Sequence, residues 1–85
     1  MITAQQMRAA RALVGIDQKT LAQRASVSLP TIQRMEASDG VVRGVVDTLV
    51  KVIQALEEAG VVLIGEGQAS AAGGRGVRLR EPGEG

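Results

Sequence analysis

The sequence contains no cysteine, histidine, phenylalanine, tyrosine or tryptophan. Without cysteine there is no disulfide framework and no thiolate metal site, and without histidine the commonest general base and zinc ligand are missing. We therefore expect neither an enzyme nor a bound metal or cofactor. Because large aromatic anchors are absent, the core must be built from Leu, Ile, Val, Met and Ala, which predicts a helical core of modest stability.

Long apolar runs are also missing. The longest strong one, Val61–Ile64, is far shorter than the ~20 residues that span a bilayer, and Arg8 and Arg11 stand where a signal peptide would be apolar. We therefore expect a cytoplasmic protein that does not contact membranes. A chain of 85 residues is the size of one small domain, for which a partner subunit would be an advantage.

The net charge of +1 is unevenly distributed along the chain. Residues 1–56 contain seven Lys or Arg against four Asp or Glu, whereas residues 57–85 contain three against five. The resulting charges of +3 and −2 weakly favour an anionic partner for the first part of the chain.

Three N-cap residues divide the first 37 residues into short helices. Thr3 forms a capping box with Gln6, and Asp17 and Ser28 are the next two N-caps. They predict a helix from about residue 4 to Gly15, followed by helices over about 18–25 and 29–37. The apolar stripe predicted for the first helix consists of Met7, Ala10, Leu13 and Val14.

A longer fourth helix is predicted over about residues 45–59, after a loop at 38–44 and before a stop at Gly60. One face of this helix is predicted to be apolar over Val46, Leu49, Ile53 and Leu56, with Val45 and Val52 beside them.

Beyond Gly60 the pattern is that of strands. Val61–Ile64 is a short run rich in β-branched residues, and residues 77–80 alternate apolar and basic side chains. The two segments predict an antiparallel pair around a loop at 65–76 that contains five glycines. Since a lone hairpin is marginal in water, it needs a surface, either its own helices or the same hairpin of a second subunit. Residues 81–85 are predicted to be a disordered tail.

Residues 17–36 are predicted to form two short helices joined by Ser26 and Val27. Small Ala22 lies at the predicted crossing, with Val27 and Ile32 beneath it. A tight corner of this kind is the geometry of a helix-turn-helix, whose second helix fits a DNA major groove.

This stretch resembles the helix-turn-helix of the lambda Cro and C1 repressor type, also called the XRE family of bacterial regulators. The resemblance covers about residues 5–59 and is carried by Arg11, Gln18, Leu21 and Ala22, the entry at 28–31 and the segment at 32–36. It implies a mainly α, lambda-repressor-like domain of four or five helices over residues 1–60. Here a short C-terminal β-strand pair follows at 61–80.

The resemblance implies a sequence-specific regulator that binds double-stranded DNA, acting as a repressor and as a homodimer on a palindromic operator. By position in the motif, the residues implied to contact bases are Leu29, Pro30, Thr31, Gln33 and Arg34. Those implied to contact phosphates are Gln18, Lys19, Ser28 and Arg43. For each of them the alternative is an ordinary solvated surface, with Ser28 acting only as a helix cap.

Two further positions follow from the resemblance. Arg11 and Glu36 match a pair that forms a structural salt bridge beneath the motif. Ser26 stands where the family often has a left-handed glycine, which predicts a strained or differently shaped turn.

The strand pair lies outside the resemblance and is the predicted dimer interface. The candidate interface residues are Val61, Val62, Leu63, Ile64, Val77 and Leu79. Their alternative is packing against helices of the same subunit. An alternative function follows from the same segment, because an antitoxin or other interaction module would clasp a toxin or other protein partner by adding a strand.

Overall fold

Four helices and one antiparallel strand pair form the part of the chain that the computed structural model describes, residues 2–42, 44–65 and 74–81. The chain is therefore mainly helical with a short two-stranded sheet, as predicted. None of the helices within those residues is long and apolar enough to cross a bilayer. The elements are α1 (Ala4–Val14), α2 (Gln18–Ala25), α3 (Leu29–Glu36), α4 (Val46–Glu58), β1 (Val61–Ile64) and β2 (Gly76–Leu79).

The predicted boundaries are confirmed to within about one residue at each end, and side-chain caps mark the starts of α1, α2 and α3. The Thr3 hydroxyl accepts the backbone N–H of Gln6 at 3.1 Å, and the Gln6 side-chain oxygen accepts the N–H of Thr3 at 2.9 Å. Gly15 ends α1 in the left-handed conformation, with φ 71°. Each end of α1 is thus fixed by residues within four positions of it.

The core is made of aliphatic and small side chains from all four helices and from β1. Alanines on α1, α2 and α4 let the short helices approach closely, which offsets the absence of aromatic residues. Its buried members are Ile2, Ala4, Met7, Ala10, Leu21, Ala22, Ala25, Ile32, Met35, Val42, Leu49, Val52, Ala55, Leu56 and Val61.

Two predicted apolar stripes are partly wrong. Leu13 in α1 is 42% exposed, whereas Val14 is half-buried and packs against the core as predicted. In α4 the buried face is Leu49, Val52, Ala55 and Leu56, and half-buried Ile53 packs against the core beside it. Val46 lies well to one side of that face, and Val45 precedes the helix in an extended conformation, so both side chains point to solvent.

The predicted loop at 38–44 is tied to the start of the chain. Thr3 and Val41 form an isolated antiparallel bridge, and the N–H of Val42 donates to the Ile2 carbonyl at 3.0 Å. Val42 is buried in the core. The connection between α3 and α4 is therefore held against the segment that leads into α1.

The hairpin lies on α1 and α4 of its own subunit. In its register Val61 pairs with Leu79 and Leu63 with Val77, which puts these four residues on one face of the sheet. Val61 is buried, and Leu63 and Val77 pack against the core. Leu79, at the open end, is half exposed. The alternative of packing within one subunit therefore describes most of the inner face.

Gln6 attaches the hairpin to α1. Its side-chain nitrogen donates to the carbonyl oxygens of Ile64 at 3.0 Å and Gly76 at 2.9 Å, the pair that closes the ladder. Because Gln6 is buried, these bonds compete little with water. One side chain thus caps α1 with its oxygen and fastens both strands with its nitrogen.

We expect Gln6→Glu to lower the free energy of unfolding by about 2 kcal/mol, measured by urea denaturation. Glutamate keeps the capping oxygen but removes the donors and brings a carboxylate towards two carbonyl oxygens. Gln5→Glu, an exposed neighbour with the same charge change, is the control and should leave stability nearly unchanged. Equal stability of the two variants would contradict the role of the Gln6 amide.

Candidate nucleic-acid interface

The turn between α2 and α3 is a tight helix end closed by backbone hydrogen bonds. The N–H of Val27 donates to the Ala22 carbonyl at 3.0 Å, and Ser26 is left-handed with φ 57° and ψ 41°. Ser26 is the sole non-glycine residue with positive φ in the described ranges. The predicted strain is therefore present, and the serine adopts the conformation that a glycine would take.

Apolar side chains fill the space beneath this corner. Ile32 and Leu21 are fully buried, Ala22 is buried at the crossing, and half-buried Val27 packs against the same cluster. The predicted arrangement of Ala22, Val27 and Ile32 is confirmed, so the angle between α2 and α3 is set by packing as well as by the turn.

Helix α3 has one buried and one exposed face. Ile32, Met35 and Glu36 point inward. Pro30, Gln33 and Arg34 are exposed and share one stripe, being three and four residues apart. We call these three residues the α3 face. It presents an amide and a guanidinium, two groups that hydrogen-bond to base edges, on a helix of eight residues.

The other predicted base-contact residues flank the α3 face. Leu29 is half buried and packs against the core, and Thr31 is half buried as well. The Ser28 hydroxyl accepts the N–H of Thr31 at 3.3 Å and lies 2.7 Å from the Thr31 hydroxyl. Ser28 is therefore the N-cap of α3, and Thr31 is left with its methyl group for an apolar contact.

Glu36 joins three helices beneath the α3 face. Its carboxylate accepts the Arg11 Nε at 2.6 Å, the Arg11 Nη2 at 2.7 Å and the Gln18 side-chain nitrogen at 3.2 Å. Arg8 donates to the Glu36 backbone carbonyl. The expected ion pair between Arg11 and Glu36 is therefore present and is bidentate. Gln18, which was expected to contact phosphate, also donates to the Glu36 carboxylate.

Burial makes this network structurally important. The Glu36 side chain is 3% exposed and that of Arg11 is 20% exposed, so both charges are largely removed from water. The hydrogen bond from Arg11 to Glu36 raises the pKa of Arg11 above its ordinary value. Throughout the described residues, every buried side-chain nitrogen and oxygen has a partner. The network is satisfied, which is the condition under which a buried ion pair is tolerated.

The amino-terminal end of α2 differs from the prediction in one respect. The Gln18 side-chain nitrogen donates one hydrogen bond to Glu36. A phosphate at the start of α2 would therefore be bound by the second hydrogen of that amide and by the backbone N–H groups of the first turn. Exposed Asp17 caps the same turn, and the backbone N–H of Thr20 lowers the pKa of Asp17. Asp17 is thus charged at neutral pH and opposes the approach of an anion, a feature that sequence reasoning used only as a helix cap.

The exposed charges of the α2 and α3 helices remain positive. Lys19, Arg24 and Arg34 are exposed, Glu36 is buried against Arg11, and Asp17 is the exposed acid, which leaves an excess of +2. Arg43, the remaining predicted phosphate contact, lies outside the described residues. The surface favours an anionic partner, although by a small margin.

The predicted dimer residues separate into two groups. Val61, Leu63 and Val77 are used inside the subunit. Val62 and Ile64 are half buried on the opposite face of β1, and with half-exposed Leu79 they form the second group. A cleft of about 470 Å³ lies between α1 and the start of β2, but it includes no residue of α2 or α3.

No family model matches the chain, and no curated protein matches it at a significant level. Its function must therefore be inferred from the α2–α3 surface itself.

We expect Arg11→Met to lower the free energy of unfolding by about 3 kcal/mol, because Glu36 would stay buried with only Gln18 as a side-chain partner. Glu36→Gln should cost about 1 to 2 kcal/mol, since Arg11 is closer to solvent. Chemical denaturation gives both values. Arg24→Met, an exposed arginine on α2, is the control and should stay within about 0.5 kcal/mol of the parent. Equal costs for Arg11→Met and Arg24→Met would contradict the structural role of the ion pair.

We expect Ser26→Gly to stabilise the protein by about 0.5 kcal/mol, because glycine adopts positive φ without a Cβ clash. Ala37→Gly at the end of α3, where φ is −85°, should have the opposite sign. Thermal melts of the two variants measure the difference. A destabilised Ser26→Gly protein would show that the serine side chain is required in the turn.

Proposed function

We propose that this chain is a sequence-specific regulator that binds double-stranded DNA, of the lambda Cro and C1 repressor type, with α3 as its recognition helix. In this proposal it acts as a homodimer and represses by occupying a palindromic operator. The observation that carries the proposal is the α3 face, Pro30, Gln33 and Arg34, exposed on a helix whose other side is locked by the Glu36 network.

The dimensions of α3 suit a major groove. With its side chains an α-helix is about 10–12 Å in diameter, and the major groove of B-form DNA is about 12 Å wide. The Arg11–Glu36 ion pair and the tight turn at Ser26 hold α3 against α1 and α2. A recognition helix held in this way reads bases without first being ordered, which reduces the entropic cost of binding.

The side chains of the α3 face suggest what they read. Arg34 presents a guanidinium that bonds in bidentate fashion to guanine O6 and N7, and Gln33 presents an amide for adenine N6 and N7. The methyl group of Thr31 and the half-buried Leu29 suit thymine methyl groups. Since Pro30 donates no hydrogen bond, base contacts are few, and DNA shape should contribute to specificity.

Contacts to the phosphate backbone should be modest. Ser28, Lys19 and the first turn of α2 supply donors, but the Asp17 carboxylate lies at that same turn. We therefore expect weak binding to arbitrary duplexes and a small dependence of affinity on salt.

Selection from a random duplex library at near-physiological salt tests the proposal, followed by a salt titration on the enriched sequence. A palindrome with half-sites about 10 base pairs apart supports a dimeric regulator. No enrichment, together with weak and salt-sensitive binding to any duplex, would overturn it and favour the protein-interaction function instead.

On the enriched operator, we expect Arg34→Ala to cost about 1 to 3 kcal/mol of binding free energy and to relax the preference at one position of each half-site. Asp17→Asn keeps the helix cap and removes a negative charge, so it should raise affinity for every sequence alike. Quantitative binding to the operator and to single-base variants separates the two effects. A uniform loss for Arg34→Ala would remove Arg34 from the base-reading residues.

A further inference from the structure

Three valines at the start of α4 are exposed although the rest of the helix buries its apolar residues efficiently. Val45 and Val46 are each 70% exposed and Val50 is 43% exposed. Val46 and Val50 stand one helical turn apart on the same side of α4, and Val45 immediately precedes them. We call these three residues the valine patch.

The valine patch lies outside the hydrophobic core of its own subunit. The inward face of α4 is Leu49, Val52, Ala55 and Leu56. Val45 occupies the N-cap position but supplies no side-chain hydrogen bond to the helix. Valine also has a lower helix propensity than most residues found on helix surfaces. Neither packing nor helix stability accounts for valines at these positions, so they point to a contact outside the subunit.

One acidic and one basic residue lie side by side next to the valine patch. Asp47 and Lys51 lie on one flank of it, with the carboxylate and ammonium 3.4 Å apart. Further along the same side the helix becomes polar at exposed Gln54 and Glu57, and half-buried Ile53 lies between this side and the core. The patch is therefore short, bounded and flanked by one acid and one base.

We propose that the valine patch is the interface with a second copy of this chain, in which two α4 helices cross antiparallel about a two-fold axis. Such an axis reverses the direction of the second helix, and the flank that carries Asp47 and Lys51 lies on the same side of the interface in both subunits. Asp47 then faces Lys51 of the partner subunit, and Lys51 faces Asp47 of the partner subunit. A parallel pair would instead place these charges on opposite flanks. The patch is thus self-complementary in both apolar surface and charge.

This interface differs from the one predicted on the hairpin. Val61, Leu63 and Val77 are already covered by their own subunit, whereas the valine patch is not. The inference rests on the proposed function only in that a regulator of palindromic DNA needs a second copy. The valine patch is the surface through which that second copy would bind.

The test is sedimentation equilibrium of the full chain without DNA, over a wide range of concentration. We expect a reversible dimer, and we expect Val46→Lys and Val50→Lys each to raise its dissociation constant roughly tenfold or more. Leu79→Lys makes a similar change at the half-exposed end of the hairpin and should stay within about twofold of the parent. Because the substituted valines are exposed, far-ultraviolet circular dichroism should show an intact fold.

The charge arrangement gives a second measurement that an effect within one chain cannot imitate. Asp47→Lys alone and Lys51→Asp alone each place like charges across the two-fold axis and should weaken the homodimer. An equimolar mixture of the two variants places opposite charges across both contacts and should associate more tightly than either variant alone.

A monomeric parent chain, a dimer insensitive to Val46→Lys and Val50→Lys, or a dimer broken by Leu79→Lys alone would overturn the inference. So would a mixture of the charge variants that associates no better than its components. Selection on DNA is scored separately. Enrichment of an operator by a chain that fails these tests would support DNA binding and overturn the valine-patch interface. A valine-dependent dimer that enriches no sequence would support the interface and overturn DNA binding.

Discussion

The buried carboxylate of Glu36 is the interaction on which the α2–α3 surface depends. It receives the Arg11 guanidinium from α1 and the Gln18 amide from α2, while its own helix carries the α3 face. A single charge at the end of α3 thus relates three helices to one another. Because the charge is almost completely buried, those partners have to be kept, and the orientation of α3 is kept with them.

The apolar core and the hydrogen-bond network at Glu36 both hold the helices together in a chain without aromatic residues. Alanine and aliphatic side chains allow close helix contacts, and their packing helps to set the angle between α2 and α3. Directed hydrogen bonds at Glu36 beneath α3 and at Gln6 beneath the hairpin add to this specificity. Both side chains lie where elements distant in sequence meet.

The parts of the fold that were predictable are those set by neighbours in sequence. Thr3, Asp17 and Ser28 mark helix starts because each cap bonds to an N–H three residues away. The partners of Gln6, at separations of 58 and 70 residues, leave no local pattern. Val46 was assigned to the buried face because a short apolar run fits two adjacent faces of a helix, and only packing decides between them. In the candidate site, the residues of the α3 face followed from the resemblance to the helix-turn-helix, whereas the bond from Gln18 to Glu36 did not.

The two hydrogen bonds from the Gln6 side-chain nitrogen also bear on the order in which the chain folds. Their two acceptors belong to Ile64 and Gly76, so the loops they close are among the longest that this chain allows. Closing a long loop costs more entropy and takes more time than forming a helical turn. The helices should therefore form before the hairpin docks. On the ribosome, the amide of Gln6 would wait with unused donors until residue 76 had emerged from the exit tunnel.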